Sequence, residues 1–233
     1  MFAGETTHVP ADTGGGANAS RTVLFDFDGV LFQGDSFAMF MRHRYQYSWL
    51  RKLLVLLTLP WWLPCMLVSR WWGLRTLVHV ALCGIGPVRY QQAVEAFADQ
   101  LVRRPRQFCR DGVQALRRHL ANGDEVIVVT GCEQLLATRL LSGLGLHDLT
   151  VIGSQLKPGW SGMRVQLHNV GWRKVQSVTA VGVQKWHVAY GDSMHDLAML
   201  KQAGEAVLVN GTPKLCKRVE KTLGRAVTRV AWY

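Results

Sequence analysis

Short apolar runs alternate along this chain with stretches whose apolar positions recur at helical spacing, and each run stops at a polar residue or a glycine. The run RTVLF (21–25) is β-branched and aromatic, which predicts a short buried strand. DEVIVVTG, Asp124 to Gly131, predicts a second strand, and WHVAYG, opening at Trp186, a third. Between the first two, Phe108, Val113, Leu116 and Leu120 mark a helix over 106–121 that Asn122-Gly123 ends. CEQLLATRLLSGLG (132–145) reads as a helix whose N-terminal amides stand beside Thr130 as a ready anion site. Two short apolar runs around a glycine-rich turn follow, then a helix from near Trp172. Strand, polar turn and helix recur in the order of an open, mostly parallel α/β sheet.

The strand ends carry the chemistry. Side chains alternate along a strand, so Asp26 and Asp28 can point one way while Phe25 and Phe27 pack, and Gly29 lets the chain turn sharply. Converging carboxylates repel and are costly to bury, so a cation is expected beside them. Lys174 falls in the first turn of its predicted helix, where the dipole favours anions; an anionic partner explains it, and the competing reading is a solvated surface lysine. Asp192 and Asp196 lie four apart at the end of the third strand and can face the same sheet edge.

In this order the motifs resemble those of the haloacid dehalogenase superfamily: DxD at Asp26 and Asp28, a hydroxyl residue at Thr130, a lysine at Lys174, and GDxxxD at Asp192 and Asp196. VIGSQL, GWRKV and GDSMHDLAMLKQAGEAVLVN are most similar to its phosphoserine-phosphatase-like branch, although Val30 stands where many members of that branch carry threonine. The resemblance implies a Rossmann-like core with a helical cap inserted after the first strand. It also implies Mg²⁺ held by Asp26, the Asp28 carbonyl, Asp192 and a water on Asp196. Asp26 would be the nucleophile that becomes an aspartyl-phosphate, and Asp28 the general acid and base. Thr130, the Gly131 amide and Lys174 would hold the phosphate oxygens. Asp28 argues against carbon–halogen cleavage, which has no leaving oxygen to protonate.

The expected division is a disordered tail (1–20), a core (21–35 and 106–233) and a cap (36–105). From Ser36 to Tyr90 there is no Asp or Glu, yet Arg42, Arg44, Arg51, Lys52, Arg70, Arg75 and Arg89 are present. Within that segment LLVLLTLPWWLPCMLVS (53–69) is uncharged and bracketed by Arg51-Lys52 and Arg70, with Trp49, Trp61, Trp62, Trp71 and Trp72 in or beside it. Pro60 and Pro64 should break it in the middle, so a re-entrant or interfacial hairpin is expected rather than a straight span. The competing reading is a cap core buried within the protein or by dimerisation.

Composition narrows the partners. A formal charge of +11 calls for an anionic one, whether a membrane surface, nucleic acid or substrate. The positive charge clusters with tryptophans and not on a polar stripe, which favours an anionic membrane over nucleic acid. This segment makes the chain similar to the phosphatidylglycerophosphatase C group, which implies a lipid phosphomonoester substrate. A soluble phosphatase of a phosphoserine-like metabolite is the alternative, and a non-enzymatic nucleic-acid module a further one. The five cysteines form no CxxC pair and read as reduced thiols, placing the chain in the cytoplasm or on that side of the membrane. Cys132 is a candidate pocket residue; the histidines show no ligand-spaced pair, and Lys214, Lys217, Arg218, Lys221 and Arg225 read as a solvated helix face or a second lipid contact.

Overall fold

The chain's first strand, β1 (Thr22–Phe25), becomes the middle of its sheet, and that placement organises everything else. The computed structural model describes residues 20–104 and 106–233; the expected tail, apart from Ser20, lies outside the described residues, as do the side chains of Val68, Arg70 and Trp71. Before the second strand come α1 (Ser36–Gln46), α2 (Trp49–Leu57), α3 (Leu59–Val68), α4 (Arg70–Ala81), α5 (Pro87–Val102) and α6 (Arg110–Ala121). Then follow β2 (Glu125–Glu133), α7 (Gln134–Gly143), β3 (Thr150–Gly159), β4 (Gly162–Leu167), α8 (Trp172–Ala180) and β5 (Trp186–Gly191). A 3₁₀ turn (Met194–Asp196), α9 (Leu197–Gln202), β6 (Ala203–Val209), α10 (Pro213–Leu223) and β7 (Thr228–Val230) complete it.

The sheet runs β4-β3-β2-β1-β5-β6-β7, parallel except for the β3–β4 hairpin. All of β1 is buried, as its uninterrupted apolar run requires when helices cover both faces. One face packs on α1, α5, α6 and α7 through residues such as Phe40, Phe97, Leu116 and Leu140. The other packs on α8, α9 and α10 through Val178, Met199 and Val219. Phe25 lies opposite both Val128 and Tyr190, so the residues just beyond it emerge at one carboxyl edge, where the chain's path reverses direction across the sheet.

The helix expected over 106–121 starts later, at Arg110. Arg106 has φ +62°, Phe108 bridges to Phe32, and the Cys109 side chain accepts the Gly112 N–H. Phe108 therefore packs from an extended segment, and Leu120, read as a core position, is partly exposed.

The segment after Asp35 is helical, and its two ends belong to the main core: α1 contributes Phe40 and Met41, and α5 contributes Tyr90, Val94, Phe97 and Leu101. Its middle projects. No residue of α2 is buried, and Trp49 (75%), Leu56 (62%), Trp61 (69%) and Leu67 (86%) stand exposed. The break falls at Thr58, which closes α2 by donating from Oγ1 to the Leu54 carbonyl (2.7 Å). Pro60 sits in the first turn of α3, where its missing N–H costs nothing, and Pro64 stays inside α3. No single described helix is long and apolar enough to cross a membrane, but α2 and α3 together pass that test with a 62° bend. The Tyr45 hydroxyl donates to the Leu77 carbonyl, tying α1 to α4. At the far end, Gly84 N–H donates to Ser161 O (2.8 Å) and Ser161 Oγ bonds His79 Nε2 (2.8 Å), fastening the α4–α5 loop to the β3–β4 hairpin.

Candidate active site

Asp26 follows β1 directly, its N–H held by the Tyr190 carbonyl (2.9 Å). Its Oδ1 accepts the Phe27 N–H (2.8 Å) and lies 2.7 Å from Lys174 Nζ. The same ammonium is 2.6 Å from Asp196 Oδ1. Lys174 is only 2% exposed, which removes the solvated-lysine reading. Burial alone would pull its pKa down; Asp196 and Asp26 together outweigh burial and hold the ammonium charged.

One cation does not balance this corner. One oxygen each from Asp26, Asp192 and Asp196 lies within 4.8 Å of the others. Burial, then the charge of Asp196, raises the Asp26 carboxyl well above its usual range and takes Asp192 to about 6. Burial also works against Asp196, yet Lys174 and the Ser193 hydrogen bond keep that carboxylate low. Three carboxylates against one ammonium leave excess negative charge on hard oxygens, a donor set that fits Mg²⁺. Asp196 sits behind the other two: fully buried, it accepts the N–H groups of Asp192 and Ser193 (both 3.2 Å) and caps the 3₁₀ turn. The packing leaves no slack. A Cβ on Gly29, at φ +82°, would stand 2.0 Å from Asp192 Oδ2, and one on Gly191 would stand 2.6 Å from Asp196 Cβ.

Asp28 points to the same edge, with Oδ1 accepting the Ser36 N–H at the start of α1 (3.0 Å). Burial raises its pKa to about 7 against the lowering effect of Ser36. Cys132 lies beneath, its sulfur accepting from Ser36 Oγ (3.1 Å); burial pushes the thiol well up, so it is neutral filler behind Asp28. Val30 is buried in the core, and His195 is exposed, with its carbonyl accepting the Gly171 N–H (3.1 Å).

Thr130 and Gly131 lie where the β2–β3 ladder is interrupted, between Val129 and Glu133, so their backbone leaves the regular sheet. The pattern of residues did not single out what holds this bulge. Asn169, fully buried, donates from Nδ2 to the carbonyls of Thr130 (3.2 Å) and Ile152 (3.1 Å), and accepts from Ser177 of α8. Ser154 Oγ donates to the Gly131 carbonyl (2.6 Å). Asn169 thus joins the Thr130 loop to the helix that carries Lys174. The anion site expected at the next helix is already filled: Glu133 caps α7, its carboxylate accepting the Leu135 and Leu136 N–H groups (3.0 and 2.9 Å) and the Tyr90 hydroxyl (2.8 Å).

A groove of about 480 Å³ opens between α1 and α4 on one side and the carboxyl ends of β2 and β3 on the other. Its floor includes Gly131 and Ser154, its walls Phe37, Met41, Leu77 and Leu156, and Arg42 and Arg75 also line it. Arg75 lies over the Trp72 ring (5.9 Å).

The sequence profile of the haloacid dehalogenase-like hydrolases matches residues 23–201. Solved structures of the same fold include a protein of unknown function from Bordetella pertussis Tohama I (18% identity, 90% of this chain and 98% of that one, TM-score 0.69). A phospho-aspartyl intermediate analogue of a phosphoserine phosphatase is similar at 17% identity over 91% and 93% of the chains, TM-score 0.57. Cytosolic 5'-nucleotidase IIIB bound to cytidine matches at 11% identity over 91% and 80%, TM-score 0.56.

Proposed function

We propose, for a chain that belongs to the haloacid dehalogenase-like hydrolases, that it is a Mg²⁺-dependent phosphomonoesterase acting on a membrane lipid phosphate such as phosphatidylglycerophosphate. The observation that carries the lipid part is the groove: it runs from Gly131 to the apolar side chains of α1 and α4, in a segment whose elbow, α2 and α3, is uncovered.

The Asp26 carboxylate attacks phosphorus in line, and the bond from phosphorus to the leaving alcohol breaks. Asp28, whose pKa burial raises to about 7 so that its protonated form is available near neutral pH, gives its proton to the departing oxygen. It then takes a proton from the water that cleaves the aspartyl-phosphate, releasing phosphate and restoring Asp26. Lys174, the Thr130 hydroxyl and the Gly131 amide stabilise the equatorial oxygens. Asp26, Asp192 and the Asp28 carbonyl would hold Mg²⁺, which supplies charge neutralisation at the phosphoryl group. The cap takes the lipid's glycerol and acyl region, and binding energy from those remote groups can raise the rate at phosphorus.

The elbow lies in the interfacial layer of an anionic membrane, with tryptophans at headgroup level. All five cysteines are free, and the enzyme works on the cytoplasmic side. Phosphate release from phosphatidylglycerophosphate, phosphatidic acid, glycerol phosphate and phosphoserine, with and without Mg²⁺ and detergent, tests this reading. The lipid esters should give the highest kcat/KM, and chelation should abolish turnover. Phosphoserine as the best substrate would overturn the lipid assignment.

A further inference from the structure

Cations gather without acids where α1 meets α2. Arg44 stands in the last turn of α1 and Arg51 in the first turn of α2, and Arg51 Nη1 donates to the Arg44 carbonyl (3.4 Å). The Nε atoms of both arginines are enclosed and have no hydrogen-bond partner among the described residues. Burial, then the charge of Arg51, lowers the Arg44 pKa; burial, then Arg44 and Arg104, lowers that of His43. The ion pairs among the described residues involve neither Arg44 nor Arg51, and no Asp or Glu occurs from Ser36 to Tyr90.

The carboxyl end of α1 offsets part of this charge, but a helix terminus supplies only about half an elementary charge. Two guanidiniums meet it. The remainder suits a tetrahedral anion, which planar guanidiniums grip with paired N–H donors. Alongside, α2 presents Trp49, Leu50 and Leu53 to the outside. An anion-binding corner bordered by uncovered apolar side chains matches a phosphate that carries acyl chains better than a free phosphate ion.

We propose that Arg44 and Arg51 form a headgroup site for an anionic phospholipid, apart from the catalytic edge, that seats the cap on the bilayer. The site rests on the membrane-surface part of the proposed function but not on the chemistry at Asp26. Its occupant is a resident lipid and not the molecule being hydrolysed.

The full-length chain is floated with vesicles of phosphatidylcholine containing phosphatidylglycerol, and turnover of a small soluble phosphate ester on the same preparations reports the integrity of fold and site. The informative variant is Arg44→Lys with Arg51→Lys, which keeps both charges but removes the guanidinium forks. A built site loses vesicle affinity by about tenfold, whereas diffuse attraction does not change. The single Arg44→Lys change serves if the pair fails to fold. A variant that floats like the parent overturns the site. Inorganic phosphate that protects this corner, or displaces the chain from vesicles at unchanged ionic strength, assigns it to a soluble anion and overturns the lipid. A parent chain that floats with no vesicle overturns both this site and the membrane part of the proposed function, while phosphate release still judges the chemistry separately.

Discussion

At the sheet's carboxyl edge Lys174 touches two carboxylates within 2.7 Å, and Asn169 holds the neighbouring loop in place; along α2 and α3 Trp49, Leu56, Trp61 and Leu67 stand exposed, and the arginines at their base form no ion pair among the described residues. On the reading proposed above, the first region lacks a small cation and a phosphate. On the same reading, the second lacks a large apolar and anionic surface. Both tolerate unfavourable arrangements, crowded carboxylates in one and uncovered apolar side chains in the other. The lesson is that the missing partner can be read from the kind of imbalance: an excess of hard oxygens in a closed corner, an excess of cations and apolar area on an open one.

The comparison breaks most sharply at Asp26. Asp26→Asn keeps the shape but removes the attacking charge, so kcat should fall by roughly 10³ or more, while vesicle binding through the elbow stays unchanged. A phosphate-release assay showing near-normal turnover would end the aspartyl-phosphate mechanism.

A second change tests whether the edge is as tightly built as its geometry suggests. Asn169→Ala leaves the Thr130 and Ile152 carbonyls without a buried donor, which should cost about 1–3 kcal/mol of stability. It should also lower kcat by about tenfold or more, because a loosened loop misplaces the phosphate donors. Thermal melts and steady-state kinetics on one preparation separate the two, and an unchanged kcat would reduce Asn169 to a packing role.

The smallest expected effect on stability lies at the elbow. Trp61→Ser and Leu67→Ser alter exposed side chains, so the unfolding free energy in buffer should move by no more than about 0.5 kcal/mol. Vesicle co-sedimentation should nevertheless drop, and turnover of a small soluble ester should persist. A large loss of stability would show that these side chains are covered in solution, by a second copy for example.

The first strand and the polar groups at Asp26, Thr130 and Asp192 were legible because each sits where a short apolar run stops, a signal contained in neighbouring residues, whereas Lys174 stood out by its place in the first turn of a helix and by the order of the motifs. Asn169 was not, since an asparagine before Val170-Gly171 reads as any turn residue and its partner Thr130 lies 39 positions away. The supposed anion site on α7 failed for a related reason: Glu133 looks like an ordinary helical glutamate until the helix is seen to begin after it. The break expected from Pro60 and Pro64 in the middle of the run falls at Thr58, just ahead of Pro60, while Pro64 is carried inside α3 and breaks nothing.

The central place of β1 sets an order of events during synthesis. Val23 pairs with Val126 on one side and with Val188 on the other, so the earliest strand cannot be enclosed until most of the chain has been made. Long loops must close first, which is slow compared with forming local helices. The segments that become α2 and α3 are made long before that point; at nine and ten residues they are too short to hold a helix alone in water. On the membrane reading proposed above, a bilayer that covers their apolar side chains would order this elbow while Asp26 still waits for the strands that will hold it.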